Sequence, residues 1–374
     1  MKTRNYWLEC FLLGLFLTIF EEYGMHEPYK IWLAMDSRTT GGIETHVMQL
    51  ALGLKQAGQQ VEVIFIKAYG AHPLIPLLHQ KDIETTVLNG GFVTLMKRIK
   101  TSRPNLIHSH GYKAGLLCRL AARLTSTIHI STYHAGEISR GKLAVYDWID
   151  RYTAGLNHQS FTVNQDIARR LPTTSRVMDN FIAIPEIEHK ADKQIAFVGR
   201  LSHEKGPDHI LRLAARLPAT GFHFYGSGPM ENDLKQQSTG NCIFHGNQST
   251  MDDNWKNIDL LIMPSRFEGL PMVAMEAMAR QIPVVAFDVG AMNKLVLHEQ
   301  NGWLIPPGRI DMIQKILERW LTQDDQQKSP VRQAAEKHIE ENFSTGKMIP
   351  RIQQVYSGLF LKKYPTCDAN CKSR

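Results

Sequence analysis

Two glutamates, Glu268 and Glu276, stand eight residues apart in the sequence PSRFEGLPMVAME and are the first candidates for chemistry. The apolar run 259–263 before them predicts a buried strand, Gly269 permits a tight turn, and Pro271 suits the start of a helix. A helix N-terminus offers N–H groups to a phosphate, and a buried carboxylate needs partners such as ribose or sugar hydroxyls. From spacing alone, an exposed loop glutamate and a structural helix glutamate remain an open alternative.

Two basic residues, Arg200 and Lys205, flank a short loop after the predicted strand 194–198. Arginine can bind a diphosphate through paired hydrogen bonds, and lysine can bind it as a point charge. If such a diphosphate were a leaving group, negative charge would grow on its departing oxygen, and fixed cations would stabilise the transition state by about 3–4 kcal/mol per contact. The alternative interpretation of this loop is an ordinary exposed basic turn.

Glycines and histidines follow three predicted strands of the first half. Gly41 and Gly42 open the helix after the first strand, where two glycines let the backbone approach a ligand. His108, His110 and His134 follow two later strands. A lone histidine is more often a packed side chain, but three near one sheet edge favour a ligand-binding edge.

The elements that must position these residues alternate between apolar runs and helical stripes. This alternation predicts parallel, doubly wound sheets, in which ligands bind beyond the carboxyl ends of the strands. In the first half the predicted strands are 30–35, 61–66, 106–109, 127–132, 160–164 and 177–184, and the helices are 44–57, 74–79, 93–100, 114–123 and 166–170. In the second half the predicted strands are 194–198, 221–225, 242–244, 259–263, 283–287 and 301–305, and the helices are 251–257, 272–280, 310–321, 331–342 and 348–360.

The composition is that of a globular protein, with 43% hydrophobic and 21% charged residues. The formal charge of +7 is too mild to indicate dedicated nucleic-acid binding, so no nucleic-acid partner is expected. Five scattered cysteines are typical of reduced thiols rather than of a disulfide framework. Cys367 and Cys371 lie close together, but no second ligand pair accompanies them as a zinc site would require.

Together, these motifs resemble those of the retaining glycosyltransferases of family 4. The carrying motifs are the glutamate pair in its PSxxEGLPxxxxEAM setting, the segment GRLxxEKG, the G-G loop, and the H-x-H and T-x-H segments. The resemblance covers residues 30–360 and implies the GT-B fold, an α/β architecture of two Rossmann-like domains facing a cleft. It implies transfer of a sugar, with retained anomeric configuration, from a nucleotide diphosphate sugar to a glycan or lipid-linked acceptor, in cell-surface polysaccharide or lipopolysaccharide synthesis.

The resemblance also implies roles for single residues. His134 would contact the donor sugar, Arg200 and Lys205 the diphosphate, Glu268 the sugar hydroxyls, and Glu276 the ribose. Further donor-binding positions carried over from the family are Gly41, Gly42, Gly226, Gly246, Gly269, Leu270 and Pro271. No cofactor is expected, and no metal ligand is expected because no Asp-x-Asp pair stands near these motifs.

The length of 374 residues suffices for two domains. The predicted units are an N-terminal extension (1–24), an acceptor domain (25–184), a linker (185–193), a nucleotide-sugar domain (194–345), a terminal helix returning to the first domain (346–361) and a tail (362–374). The extension has an apolar run too short for a membrane span, and is either dispensable, with translation starting at Met25, or membrane-associating. Because nucleotide sugars are cytoplasmic, we expect a cytoplasmic location and not export.

Two basic clusters suggest a peripheral contact with the inner face of the membrane. An apolar stripe interleaves the first cluster, which favours an anionic membrane surface, although a solvated helix face is the plainer interpretation. The clusters consist of Lys97, Arg98, Lys100, Arg103, Arg119 and Arg123.

Other functions on the same fold remain open. A nucleotide-sugar isomerase or epimerase would need further acid and base residues, and a non-catalytic binder would not need the combined set. A hydride-transfer enzyme is disfavoured, because Glu231 stands where the third glycine of the motif beginning at Gly226 should be.

Overall fold

The computed structural model describes residues 28–38, 41–134, 142–186, 194–248 and 250–363. The predicted N-terminal extension, most of the predicted linker and nearly all of the tail lie outside these residues. No helix within the described ranges is both long and apolar enough to cross a membrane.

Seven parallel strands form the first sheet, in the order β3-β2-β1-β4-β5-β6-β7. The strands are β1 (Lys30–Met35), β2 (Gln60–Phe65), β3 (Glu84–Val87), β4 (Leu106–His110), β5 (Ile128–Tyr133), β6 (Gln159–Thr162) and β7 (Arg176–Val177). The helices between them are α1 (Gly42–Gln56), α2 (Leu74–Gln80), α3 (Gly91–Ser102), α4 (Tyr112–Thr125), α5 (Lys142–Tyr152) and α6 (Gln165–Arg170).

Six parallel strands form the second sheet, in the order β10-β9-β8-β11-β12-β13. They are β8 (Gln194–Val198), β9 (Phe222–Tyr225), β10 (Cys242–Gly246), β11 (Ile258–Met263), β12 (Val284–Phe287) and β13 (Gly302–Ile305). The helices are α7 (Asp208–Arg216), α8 (Glu231–Gln237), α9 (Asp252–Trp255), α10 (Met272–Met278), α11 (Met292–Leu295), α12 (Ile310–Thr322) and α13 (Asp325–Phe343).

Both faces of each sheet are buried against packed helices. Successive residues of a strand point to opposite sides of the sheet, so neighbouring residues enter different cores. In β1, Leu33 packs into the core that contains α1, whereas Trp32 packs into the core that contains α3 and α4. In β11, Leu261 and Ile262 divide in the same way between two cores of the second sheet. The predicted pair of doubly wound domains is therefore confirmed.

The last helix, α14 (Thr345–Lys363), packs against the first sheet although it follows the second along the chain. Its buried residues include Ile349, Ile352 and Phe360, which share a core with α1. Gly53 of α1 makes room for this contact, since a Cβ there would lie 2.5 Å from the Ile349 side chain. The predicted helix over 348–360 is confirmed, and it begins three residues earlier.

Several predicted elements were wrong. The predicted strand 177–184 is reduced to β7 and an isolated bridge at Ile182. The predicted helix 331–342 begins at Asp325, because Asp324 and Gln327 form a capping box. Strand β3 and the helices α5, α7, α8 and α11 were not predicted.

The grouping of Arg119 with surface basic residues was also wrong. Its side chain is 1% exposed and donates to Asp150 at 2.9 Å and to Tyr133 at 2.8 Å. A buried arginine of this kind crosslinks α4, α5 and β5, so it belongs to the fold and cannot contribute to a basic surface.

Candidate functional site

The histidines of the first half meet at one sheet edge because β1, β4 and β5 are neighbours. Parallel register pairs Met35 with His110 and His110 with Thr132, so the segments after these strands begin side by side. His110 Nδ1 and His134 Nε2 lie 3.1 Å apart, within hydrogen-bonding distance. The prediction that H-x-H and T-x-H share an edge is therefore confirmed.

A further histidine, His46 of α1, was not predicted. Its ring centroid lies 4.8 Å from that of His134 and 5.4 Å from that of His110. It is buried at the start of the apolar stripe of α1, and this polar side chain on a buried helix face was the signal available in the sequence. His108 has a different role, since its ring nitrogens bond to Tyr356 and Thr132, both at 2.6 Å.

The imidazoles at this edge are uncharged at neutral pH. Burial, with smaller contributions from the neighbouring histidines, lowers the pKa of both His110 and His134 well below the usual 6.5. Burial likewise lowers the pKa of His46 to about 4. His134 keeps partial exposure, whereas His46 and His110 are buried. A neutral ring at the surface of this group can offer one N–H to a ligand without adding charge.

The two glycines of the G-G loop stand beside this group of histidines. Gly41 is the N-cap of α1, and Gly42 begins the helix. Within the described ranges, a Cβ at Gly42 would meet no atom within 4 Å, so the backbone there is not crowded. This geometry allows close approach of a ligand to the start of α1.

In the second half, Lys205 and Glu268 bind each other. Lys205 Nζ lies 2.9 Å and 2.8 Å from the two carboxylate oxygens, and Ser265 Oγ donates to Glu268 at 2.7 Å. The Glu268 side chain is 3% exposed and the Lys205 side chain 32%. The buried Glu268 carboxylate therefore fixes the Lys205 ammonium group from the protein interior, and part of the lysine side chain stays accessible to solvent. Arg200 is exposed on the same loop after β8.

The loops beyond β8, β9, β11 and β12 interlock through their backbones. A Cβ on Gly226, whose φ is +131°, would lie 2.0 Å from the Gly199 carbonyl oxygen. A Cβ on Gly290 would lie 1.9 Å from the carbonyl oxygen of Glu268. Gly226 also donates its N–H to the Gly246 carbonyl at 2.8 Å, which brings two predicted donor-binding glycines together.

Glu276 of α10 carries a largely desolvated carboxylate, and among the described residues its nearest charge compensation comes from Arg280. It keeps partial exposure, and no other described residue donates a hydrogen bond to its carboxylate. Desolvation raises its pKa to about 7, which Arg280 opposes and Asp252 reinforces. A desolvated carboxyl beside a solvent-facing surface is typical of a group that binds ligand hydroxyls.

The two edges approach each other through Asn180 and helix α1. Asn180 donates its amide N–H to the Leu270 carbonyl at 2.7 Å, and its side chain also lies beside His46. Helix α1 packs against α10, at whose N-cap Pro271 stands. The side-chain amide of Asn164, which follows β6, lies 4.0 Å from the position of a Cβ on Gly269. The histidine group and the glutamate motif therefore belong to one contiguous region.

Two family models match the chain, described as "Glycosyltransferase Family 4" over residues 40–184 and "Glycosyl transferases group 1" over residues 180–337. The chain is 25% identical over 311 residues to the UDP-Gal:alpha-D-GlcNAc-diphosphoundecaprenol alpha-1,3-galactosyltransferase of Escherichia coli, a match that covers 72% of this chain and 80% of that protein. It is 34% identical over 131 residues to the lipopolysaccharide core biosynthesis mannosyltransferase LpsB of Rhizobium meliloti, covering 31% of this chain and 37% of the relative.

Solved structures resemble the whole described arrangement. Anabaena HepE in complex with UDP-glucose superimposes with a TM-score of 0.74 at 19% identity, covering 88% of this chain and 100% of that chain. Sucrose-phosphate synthase of Thermosynechococcus elongatus gives a TM-score of 0.72 at 17% identity, with 89% and 100% covered. The predicted GT-B fold is therefore confirmed.

Proposed function

The chain belongs to the group 1 glycosyltransferases, and on that premise we propose that it moves a sugar from a nucleotide diphosphate sugar to a glycan or lipid-linked acceptor. The observation that carries this proposal is Lys205, held at 2.8 Å by Glu268 in the region where the neutral histidines of the first domain approach. We propose cell-surface polysaccharide or lipopolysaccharide assembly as the process, since similar proteins are named for O-antigen and lipopolysaccharide core biosynthesis.

In the proposed reaction, the bond between the anomeric carbon and the diphosphate oxygen breaks while the acceptor oxygen bonds to the same carbon. The acceptor enters on the face that the diphosphate leaves, so the configuration is retained, and the acceptor proton leaves with the diphosphate. Lys205 and Arg200 would neutralise the charge growing on the diphosphate. His134 would orient the donor sugar through the ring nitrogen that does not face His110.

The glutamates would have different tasks. Glu276, desolvated and partly exposed, would bind the ribose hydroxyls. Glu268 binds Lys205 and Ser265, and any remaining lone pair would accept from a sugar hydroxyl. The backbone at Gly41, Gly42, Gly226, Gly246 and Gly269 to Pro271 would line the donor. We propose that turnover needs no metal ion, because the cationic side chains supply the charge stabilisation.

The first experiment is a thermal-shift screen with UDP, GDP, ADP and their sugars, since a ligand that binds only the native state raises its stability. A UDP-sugar is the first donor to test, because the Escherichia coli relative and HepE are named with UDP-sugars. The stabilising donor is then incubated with the enzyme. Slow release of nucleoside diphosphate supports a transferase, an altered sugar supports an isomerase or epimerase, and an unchanged donor supports a non-catalytic binder.

Two finer points have their own measurements. Retention is tested by the anomeric coupling constant of the product in a proton NMR spectrum, and an inverted product overturns it. Metal independence is tested by turnover in excess chelator, where full activity is expected and complete loss would contradict the proposal.

We propose a cytoplasmic location with peripheral contact at the inner face of the membrane, where a lipid-linked acceptor would lie. Large apolar side chains on α4 and α5 are exposed, and α3 and α4 carry basic but no acidic residues. The exposed set is Leu120, Leu124, Val145, Tyr146, Trp148 and Tyr152. Co-sedimentation with anionic vesicles tests this contact: Trp148→Ala with Tyr152→Ala should reduce it, and Phe267→Ala, an exposed aromatic of the second half, should not.

A further inference from the structure

Three imidazoles from three different elements converge at the first sheet edge. His46 lies on α1, His110 ends β4, and His134 follows β5, and one ring nitrogen of each lies within 4.8 Å of the others. No other group of three or more such side chains with this spacing occurs in the described part of the chain. Convergence of three imidazoles is the ligand set of a zinc-class metal site.

The spacing is close to what a metal requires. With metal–nitrogen bonds of about 2.0–2.1 Å in a tetrahedral site, two ligand nitrogens stand about 3.3 Å apart. His110 Nδ1 and His134 Nε2 are already 3.1 Å apart. The imidazole of His46 would have to move closer by roughly 1.5 Å, a shift that a side-chain rotation can supply.

Two buried imidazoles of this group have weak polar partners. The side chains of His46 and His110 belong to residues that are 3% and 1% exposed. The Asn180 side chain lies beside the His46 ring, and His110 Nδ1 has another imidazole, His134, as its partner. A metal bound by these rings would therefore displace no charged partner.

The surroundings leave one coordination position open. His134 is the partly exposed member, and the other two lie behind it. A metal held by the three rings would therefore have its fourth position toward His134 and solvent, where a water molecule could bind. Three protein ligands with one open position is a common arrangement for zinc.

We propose that His46, His110 and His134 bind one divalent transition metal of the zinc class, through the mutually facing nitrogens of His110 and His134 and one nitrogen of His46. This metal binding does not depend on the proposed function.

The test of binding uses the full chain without donor. Isothermal titration with Zn²⁺ and the visible absorption of bound Co²⁺ should give one equivalent with a tetrahedral spectrum. His46→Gln should weaken binding at least tenfold, and His134→Gln provides a second variant at a more exposed position. His245→Gln is the matched control, because His223 and His245 form a histidine pair 3.0 Å apart away from this group.

Three results would overturn the proposed metal site. Absence of binding, or equal binding by wild type and both histidine variants when these melt cooperatively, overturns the proposal. A sulfur-to-cobalt charge-transfer band that disappears with Cys367→Ser and Cys371→Ser assigns the metal to the tail cysteines and also overturns it. Binding of one equivalent by wild type and by His245→Gln, weakened in both His46→Gln and His134→Gln, is the result expected.

Discussion

At the scale of single residues, the ion pair with Glu268 fixes the position of Lys205 in the predicted diphosphate-binding loop. Alone, a lysine on a loop loses side-chain entropy when it is held in place to meet a ligand. Here a carboxylate that is 3% exposed already holds it at 2.8 Å. The ammonium group is therefore placed before a donor binds, which favours stabilisation of the transition state.

Lys205→Ala should lower turnover at least about 100-fold, because one preplaced charge at the departing diphosphate is lost. Steady-state release of the nucleoside diphosphate measures it. Lys235→Ala is the matched control, since Lys235 pairs with Glu231 on the surface of α8, and it should turn over normally. Near-normal turnover of Lys205→Ala would remove the proposed role of this residue.

Glu276→Ala should weaken donor binding by about 1–3 kcal/mol, because hydrogen bonds from the ribose hydroxyls to the carboxylate are lost. Titration calorimetry with the donor identified by thermal shift gives the affinity directly. Unchanged affinity in a folded variant would mean that Glu276 is structural.

The raised pKa of Glu276 also predicts a pH dependence of stability without donor. The folded state holds this proton up to about pH 7, against 4.5 ordinarily, so between these values the folded state binds more protons than the unfolded state. The contribution of Glu276 is therefore fully present below about pH 4.5 and is lost as the pH rises through 7, a fall of about 3 kcal/mol.

Hydrogen exchange of the α10 amides, corrected for intrinsic rates, measures this fall from about pH 4.5 to about pH 8. Glu276→Gln should flatten it, whereas Glu340→Gln, at an exposed glutamate of α13, should leave it unchanged. Equal slopes in wild type and Glu276→Gln would contradict the assignment.

At the scale of elements, a buried charge cluster fastens α12 and α13 to the second sheet. Asp259 of β11 accepts from Trp320 at 2.8 Å and from Lys328 at 2.9 Å, and it also pairs with Arg332. The Asp259 and Lys328 side chains are 1% and 3% exposed. Removing one partner of such a group leaves an uncompensated charge in the interior.

Asp259→Ala should therefore destabilise the second domain by about 3–5 kcal/mol. Urea unfolding followed by the fluorescence of the tryptophans of this domain measures the loss. Asp311→Ala, which removes a surface pair with Arg309, should leave the transition where it is. A similar curve for both variants would show that the buried cluster contributes nothing measurable.

The elements were largely predictable, because apolar strands and amphipathic helices differ in period. Strand β3 was missed because its sequence, ETTV, has one apolar residue. Helix α5 was missed because its apolar residues Val145 and Trp148 point outward, each 58% exposed, so the stripe does not mark a buried face. Arg119 was assigned to the surface because its partner Asp150 is 31 residues away.

The same limit applies to the site. Motif spacing identified Glu268, Lys205 and His134, and the sheet topology brings each to the expected edge. The pairing of Lys205 with Glu268, across 63 residues, could not be read from the sequence. His46 stands within a helix outside every recognised motif, so only the packing of α1 against the sheet places it beside His134.

At the scale of the whole molecule, α14 makes a segment that follows the second domain part of the first. Ile352→Ala should cost about 2–5 kcal/mol through the cavity it leaves, and the loss should fall on the first domain. Hydrogen exchange of α1 and α12 amides in the same sample separates the domains, and Leu361→Ala, 59% exposed on the same helix, is the control. Faster exchange confined to α12 would contradict this docking.

The position of α14 has a consequence for how the protein is made. A ribosome releases β1 to β7 long before it has synthesised the helix that covers α1, so the first domain exposes an apolar groove until α14 has emerged. A prematurely terminated polypeptide that stops after Phe343 would keep that groove permanently, and chaperones or proteases would meet it first.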